Sequence, residues 1–234
     1  MREIVLDTET TGLDPYDGHR VVEIGCVELI NRIPTGATYH AYLNPERDVP
    51  EQAFAVHGLS ADFLADKPLF SEIADELATF LGDAKLVIHN AGFDLAFLNA
   101  EFERCKRALL GRERAVDTLT LARRRHPGGP NNLDELCRRY GIDNSRRTKH
   151  GALLDAELLA EVYAELAGGR QANLGLADAA VAAVAVAAAA VKPRPEPIAS
   201  LLTDADREAH RRFIAGLGET SLWRQYLPDA IAAE

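Results

Sequence analysis

Five residues have the types and spacing to bind metal and move a proton: Asp7, Glu9, Asp94, Asp155 and His150. Asp7 and Glu9 stand two apart at the end of the apolar run Ile4-Val5-Leu6, so on a strand both carboxylates leave from one face. Hard cations such as Mg²⁺ or Mn²⁺ take oxygen ligands and keep waters that a phosphate can replace. A few carboxylates from separate elements therefore suffice to hold them. Asp94 follows the apolar run Leu86–Ile88 and the polar hinge His89-Asn90-Ala91-Gly92, which places it in the first turn of a helix. Asp155 falls early in another helix, with His150 just ahead of it on a segment that Gly151 leaves flexible. Histidine is the natural general base near neutral pH. Each cluster also has a plainer reading. Asp-x-Glu describes any two solvated acids at a strand end, Asp94 suits a helix dipole, and a lone His150 is what a helix entry often carries. Asp117 reads as a structural strand-end acid and is left outside the metal set.

The elements that must position these residues are visible as changes of period. Arg2–Glu9 is a buried strand closed by Thr10-Thr11-Gly12, a second strand covers Arg20–Leu29, and a third covers Ala37–Leu43 before Asn44-Pro45 breaks it. Three strands in succession predict an antiparallel meander. The pattern then turns helical at Ile73, Leu77, Phe80 and Leu81, returns to a short strand at Leu86–Ile88, and resumes at Phe93, Phe97, Leu98 and Phe102. Val116-Asp117 ends another strand. Helices follow over Leu119–Arg124, over Leu133–Tyr140 with Asn132 as N-cap, and over Leu153–Leu166, which Gly168-Gly169 ends. In such an α/β arrangement ligands gather at the C-terminal ends of strands, so Asp94 is expected to face the Asp7 and Glu9 pair.

Bulk composition is that of a soluble globular protein: 234 residues, 47% apolar and 26% charged. A formal charge of −10 argues against broad electrostatic adhesion to nucleic acid. Binding to such a partner would have to be local, through bound cations and small basic clusters. Cys26, Cys105 and Cys137 form no CxxC pair and indicate neither a disulfide framework nor a zinc ribbon. With no signal-like start, a cytoplasmic location is expected. Arg146, Arg147 and Lys149 beside His150, and Arg123, Arg124 and Arg125, could guide phosphates or simply be solvated charges.

The strings Asp7-Thr8-Glu9-Thr10-Thr11-Gly12, His89-Asn90-Ala91-Gly92-Phe93-Asp94 and His150-Gly151-Ala152-Leu153-Leu154-Asp155 resemble, in order, the three motifs of the DEDDh family of 3′–5′ exonucleases. Within the family they are most similar to the proofreading branch that serves bacterial replicases. The resemblance spans about residues 2–168. It implies a ribonuclease H-like α/β fold with a mixed central sheet flanked by helices. It further implies two divalent metal ions (Mg²⁺ or Mn²⁺) held by Asp7, Glu9, Asp94 and Asp155, with His150 deprotonating the attacking water. Substrate contacts are implied for Asp7, Glu9, Thr10, Thr11, His57 and Asp155, and for Gln52, which stands where the nearest relatives are expected to carry Glu. His57 before Gly58 is equally well read as a turn histidine.

Beyond an exonuclease domain of residues 1–168, residues 169–200 have linker composition and residues 201–234 read as a docking segment within a largely flexible tail. The stretch between Asp178 and Lys192 is too short to span a bilayer. Gln171, Leu174 and Leu176 are similar to the Gln-x-x-Leu-x-Leu peptides that bind a sliding clamp, and Trp223 is an expected anchor on the polymerase catalytic subunit. The expected activity is removal of mispaired nucleotides from single-stranded or mispaired 3′ DNA ends. Two alternatives stay open: an exoribonuclease of the same fold, since no motif reports on the 2′-hydroxyl, and a non-catalytic bridging subunit.

Overall fold

A computed structural model describes residues 1–168, 201–217 and 222 of the chain. These fall into two units, divided between Asn173 and Leu174. Gln171, Leu174, Leu176 and Trp223 lie outside the described residues, as does the linker.

The first unit is built on a five-stranded sheet in the order β3-β2-β1-β4-β5. Strands β1 (Arg2–Thr10), β2 (Val21–Ile30) and β3 (Ile33–Tyr42) form the expected antiparallel meander, while β4 (Lys85–Ile88) and β5 (Ala115–Asp117) add parallel strands beyond β1. The sheet is therefore mixed. The third strand starts four residues earlier than its aromatic content predicts. Asn31 and Arg32 both take positive φ, 52° and 67°, and make a tight two-residue turn whose twist suits a hairpin.

Helices cover both faces. On one side lie α3 (Phe70–Leu81) and α4 (Ala91–Arg104); on the other lie α5 (Thr118–Arg125), α6 (Leu133–Tyr140) and α7 (Ala152–Leu166). Strand alternation divides the core accordingly. Ile4 and Leu6 join Leu77, Leu86 and Phe97 in one apolar cluster, whereas Val5 joins Val27, Val87, Leu159 and Val162 in the other. By the same parity Asp7 and Glu9 leave β1 on the Val5 side, toward α7.

Two short helices, α1 (Glu51–His57) and α2 (Ala61–Leu64), escape detection by hydrophobic period. Of the seven α1 residues only His57 is buried, and Phe54 and Val56 are exposed, so no apolar stripe marks the helix. In the second unit α8 (Asp204–Gly216) begins at Thr203, whose hydroxyl accepts from the Asp206 amide while the Asp206 carboxylate accepts from the Thr203 amide. This reciprocal cap explains why the charged segment from Asp204 is helical. No described helix is long and apolar enough to cross a membrane.

Candidate active site

Three element ends converge to form the site. β1 delivers Asp7 and Glu9 at its C-terminal end; α4 and α7 each present an aspartate in their first turn, Asp94 and Asp155. Asp94 is held from the opposite face of the same strand, since Thr8 points toward α4 and its hydroxyl donates to Asp94 Oδ1 at 2.7 Å. The chain turns from β4 into α4 at Asn90, which adopts a left-handed conformation (φ 68°) that asparagine tolerates better than most residues. The Asn90 amide donates to Asp117 Oδ1, and Asp117 also caps α5. Asp117 is thus a structural acid, as its sequence position suggests.

Helix α7 lies across β1 and β2, and its first turn comes unusually close to the sheet. A Cβ on Gly25, the β2 residue paired with Asp7, would stand 2.2 Å from the Ala152 carbonyl carbon and from the Leu153 nitrogen. Only glycine permits this approach, and it sets how near Asp155 comes to Asp7 and Glu9. The loop before α7 is pinned rather than flexible. The His150 amide donates to the Val56 carbonyl of α1, and Lys149 Nζ donates to the Ala55 carbonyl.

The carboxylates crowd one another in a poorly hydrated space. Burial, then repulsion from Asp94, Glu9 and Asp155, holds the Asp7 carboxyl well above the ordinary carboxylate range. Burial and the Asp155 and Glu23 charges push Glu9 up to about 8. Burial likewise raises Asp94 to about 7, against the hydrogen bond from Thr8. Such a group is at ease only when protons or cations neutralise it. Glu9, His150 and Asp155 offer ligand atoms within 4.8 Å of one another. With oxygen donors in the majority, the residues suit a hard divalent cation. Burial and the Arg147 charge hold the His150 imidazole below its ordinary value, keeping it neutral at pH 7.

Arg147, one of the basic residues noted beside His150, has a role that neither reading of its sequence anticipates. It is neither a phosphate guide on the surface nor a solvated charge, because its side chain is only 7% exposed. Its Nε and Nη2 donate to the two oxygens of Asp155 at 2.5 and 2.7 Å, Nη2 approaches His150 Nδ1 at 2.8 Å, and Nη1 donates to Asp134 at 2.8 Å. Its neighbour Arg146 is exposed, as Arg123, Arg124 and Arg125 are, although Arg125 closes α7 by donating to the Leu166 carbonyl. Nothing in the local sequence separates Arg147 from the other basic residues.

A cleft of about 500 Å³ opens beside the acids and is lined by Glu9, Thr10, Thr11, Gln52, His57 and Phe93 among others. The Thr10 hydroxyl donates to the Gly12 carbonyl. That of Thr11 sits between His19 Nδ1 and the Arg20 amide, which donates to it. Both threonine side chains are therefore tied into the turn. His57 Nδ1 accepts from the Leu59 amide, so the neutral ring carries its proton on Nε2, a buried atom near the Thr10 backbone.

The Exonuclease family (RNase_T) matches residues 4–163 of this chain. DNA polymerase III subunit epsilon of Rickettsia felis (strain ATCC VR-1525 / URRWXCal2) is 49% identical over 226 residues, covering 94% of this chain and 99% of the relative. The chain belongs to the exonuclease family, in its epsilon-subunit branch. The epsilon subunit of Escherichia coli (strain K12) is 51% identical over 176 residues, 72% of each chain. Among solved structures, exonuclease X in complex with 5′ overhanging duplex DNA is 27% identical with a TM-score of 0.56, covering 70% of this chain and 90% of that one. Exonuclease I, 20% identical with a TM-score of 0.62 over 73% of this chain and 41% of its own, shares the fold. The family's 3′–5′ exonucleolytic activity is this chain's activity, and its fold implies divalent metal ions.

Proposed function

We propose that this exonuclease is the proofreading subunit of a replicative DNA polymerase and removes mispaired nucleotides from single-stranded or mispaired 3′ DNA ends. The observation that carries the site assignment is the convergence of Asp7, Glu9, Asp94 and Asp155 from three elements, with carboxyl groups raised by burial and mutual repulsion. These four acids would hold two divalent ions, Mg²⁺ or Mn²⁺. Two such ions supply an activated water and charge stabilisation on the leaving 3′ oxygen.

The protein's own groups do the rest. His150, neutral and beside Asp155, takes the proton of the attacking water at a ring nitrogen. His57 lines the cleft beside the acids, where its ring is placed to contact the terminal nucleotide. Gln52 lines the same cleft, and the Thr10–Thr11 turn shapes its wall. The matches to epsilon subunits over 94% of the chain support assigning the remaining residues to replicase assembly. In this reading residues 1–168 are the catalytic domain, 169–200 a linker whose Gln171, Leu174 and Leu176 engage the clamp, and 201–234 the segment that docks on the polymerase through Trp223.

The test is a nuclease assay on matched DNA and RNA 3′ ends, run with Mg²⁺ and with Mn²⁺ beside an Asp7→Ala control. Release of mononucleotides from single-stranded and mispaired DNA, lost in Asp7→Ala, is expected. Intact DNA in the presence of Mn²⁺ would sink the proposal, and faster RNA degradation would redirect it to an exoribonuclease.

A further inference from the structure

Arg147 spends its hydrogen bonds on the groups that the proposed chemistry needs. One guanidinium occupies both oxygens of Asp155 in a bidentate pair and lies 2.8 Å from Nδ1 of His150. Asp155 is 3% exposed and Arg147 7%, so the pair is shielded from water on nearly all sides. A fork-on-carboxylate arrangement of this kind is directional, and it is among the stronger ion pairs a protein makes. The same guanidinium reaches outward to Asp134, which is 57% exposed and stands at the start of α6.

A divalent ion held by Asp155 requires a ligand oxygen that Arg147 already engages. We propose that Arg147 is a resident counter-cation that competes with divalent metal for Asp155, and that metal binding moves its guanidinium outward onto Asp134. The proposal rests on Asp155 being a metal ligand. Asp134 gives the displaced guanidinium an ionic partner close to water, so the exchange never strands an unpaired buried arginine. Until the exchange occurs, Arg147 keeps Asp155 and His150 in place. Its charge also opposes the burial that raises the Asp7 and Glu9 carboxyls. Arg147 is on this view a positioning residue.

The apparent affinity of a site that is competent for only a fraction of the time is reduced by that fraction. If the Arg147–Asp155 pair is closed about nine times in ten, Arg147→Gln should tighten Mn²⁺ binding about tenfold, a direction that mere structural damage would not produce. Titration calorimetry of the full chain, wild type beside Arg147→Gln, reads this directly. A second measurement uses only the wild type: the Arg147 Hε proton, protected from exchange by its bond to Asp155, should exchange rapidly once Mg²⁺ saturates the site. Unchanged or weaker Mn²⁺ binding in a folded Arg147→Gln variant would overturn the proposal, and so would an Hε that stays protected in saturating Mg²⁺. A wild type that binds no divalent ion would remove the metal assignment and this inference together, whereas binding without competition removes the inference alone.

Discussion

Alanine at position 25 places a methyl group where the backbone of α7 already stands. The added Cβ would lie 2.2 Å from the Ala152 carbonyl carbon and the Leu153 nitrogen, against about 3.5–4.0 Å for carbon atoms in comfortable contact. These are backbone atoms, so no side chain can rotate away, and the first turn of α7 must retreat from β2 by more than about 1 Å. Overpacking of this kind costs about 1–3 kcal/mol. The larger effect falls on the chemistry. Asp155 is carried by that first turn, while Asp7 is carried by the strand paired with Gly25, so the same displacement opens the distance between two proposed metal ligands. A misplacement near 1 Å in a reacting constellation costs about 10²-fold in rate. Gly25→Ala is therefore expected to remain folded, with a lowered urea midpoint, and to lose about 10²-fold in kcat on a single-stranded DNA substrate. Weaker Mn²⁺ binding by calorimetry should accompany that loss. A variant with wild-type stability and wild-type kcat would refute the claim that Gly25 sets the seat of α7.

Substitution of His150 by alanine should lower kcat by about 10²–10⁴-fold, the usual contribution of a positioned base, with the fold intact by circular dichroism. Because burial depresses the His150 pKa, the acidic limb of the wild-type pH–rate profile should lie below the ordinary imidazole value of 6.5. Stability should depend on pH and metal together. Glu9 and Asp94 are raised in the folded chain to about 8 and about 7 from 4.5 and 3.8, so the folded state binds their protons more tightly than the unfolded state does. Their contribution is fully present below the unfolded values and is lost as pH rises through the folded ones. With a chelator the melting temperature should fall between about pH 5 and pH 9. The Glu9 shift alone is worth up to about 5 kcal/mol, and saturating Mn²⁺ should flatten the trend; a chelated protein equally stable at both pH values would contradict the burial of these charges.

The sequence is readable where one residue type has one local meaning. Asp7-x-Glu9 follows an apolar run, and strand parity alone puts both acids on the α7 face. Asn132 caps Leu133–Tyr140 at the expected residue because its side chain has a single good use there, accepting from the Glu135 amide. Legibility fails where a residue's meaning depends on a distant partner. Gly25 looks like an isolated strand glycine until α7 is laid across it, 127 residues later at Ala152. Arg147 looks like Arg146 beside it, yet one is buried against Asp155 and the other is exposed, and only the path of the loop decides which. Helix α1 is invisible for a different reason: its task is to carry His57 inward and to accept the His150 loop through backbone carbonyls, neither of which leaves an apolar period.

The formal charge of −10 and the nucleic-acid substrate are reconciled inside the site rather than on the surface. Among the described residues, the one cationic side chain bonded to any of Asp7, Glu9, Asp94 and Asp155 is Arg147, on Asp155, and burial denies Glu9 and Asp94 the water that would screen their repulsion from the half-buried Asp7. Each proton or cation that enters therefore relieves a cost already present in the fold. A bare phosphate approaching these acids would be repelled; one approaching acids that have taken up divalent cations would be attracted over a few ångströms and no farther. Attraction then depends on the cation being in place, so a chain with an acidic exterior can hold a DNA end tightly at the reacting bond while the rest of its surface contributes little adhesion to the duplex.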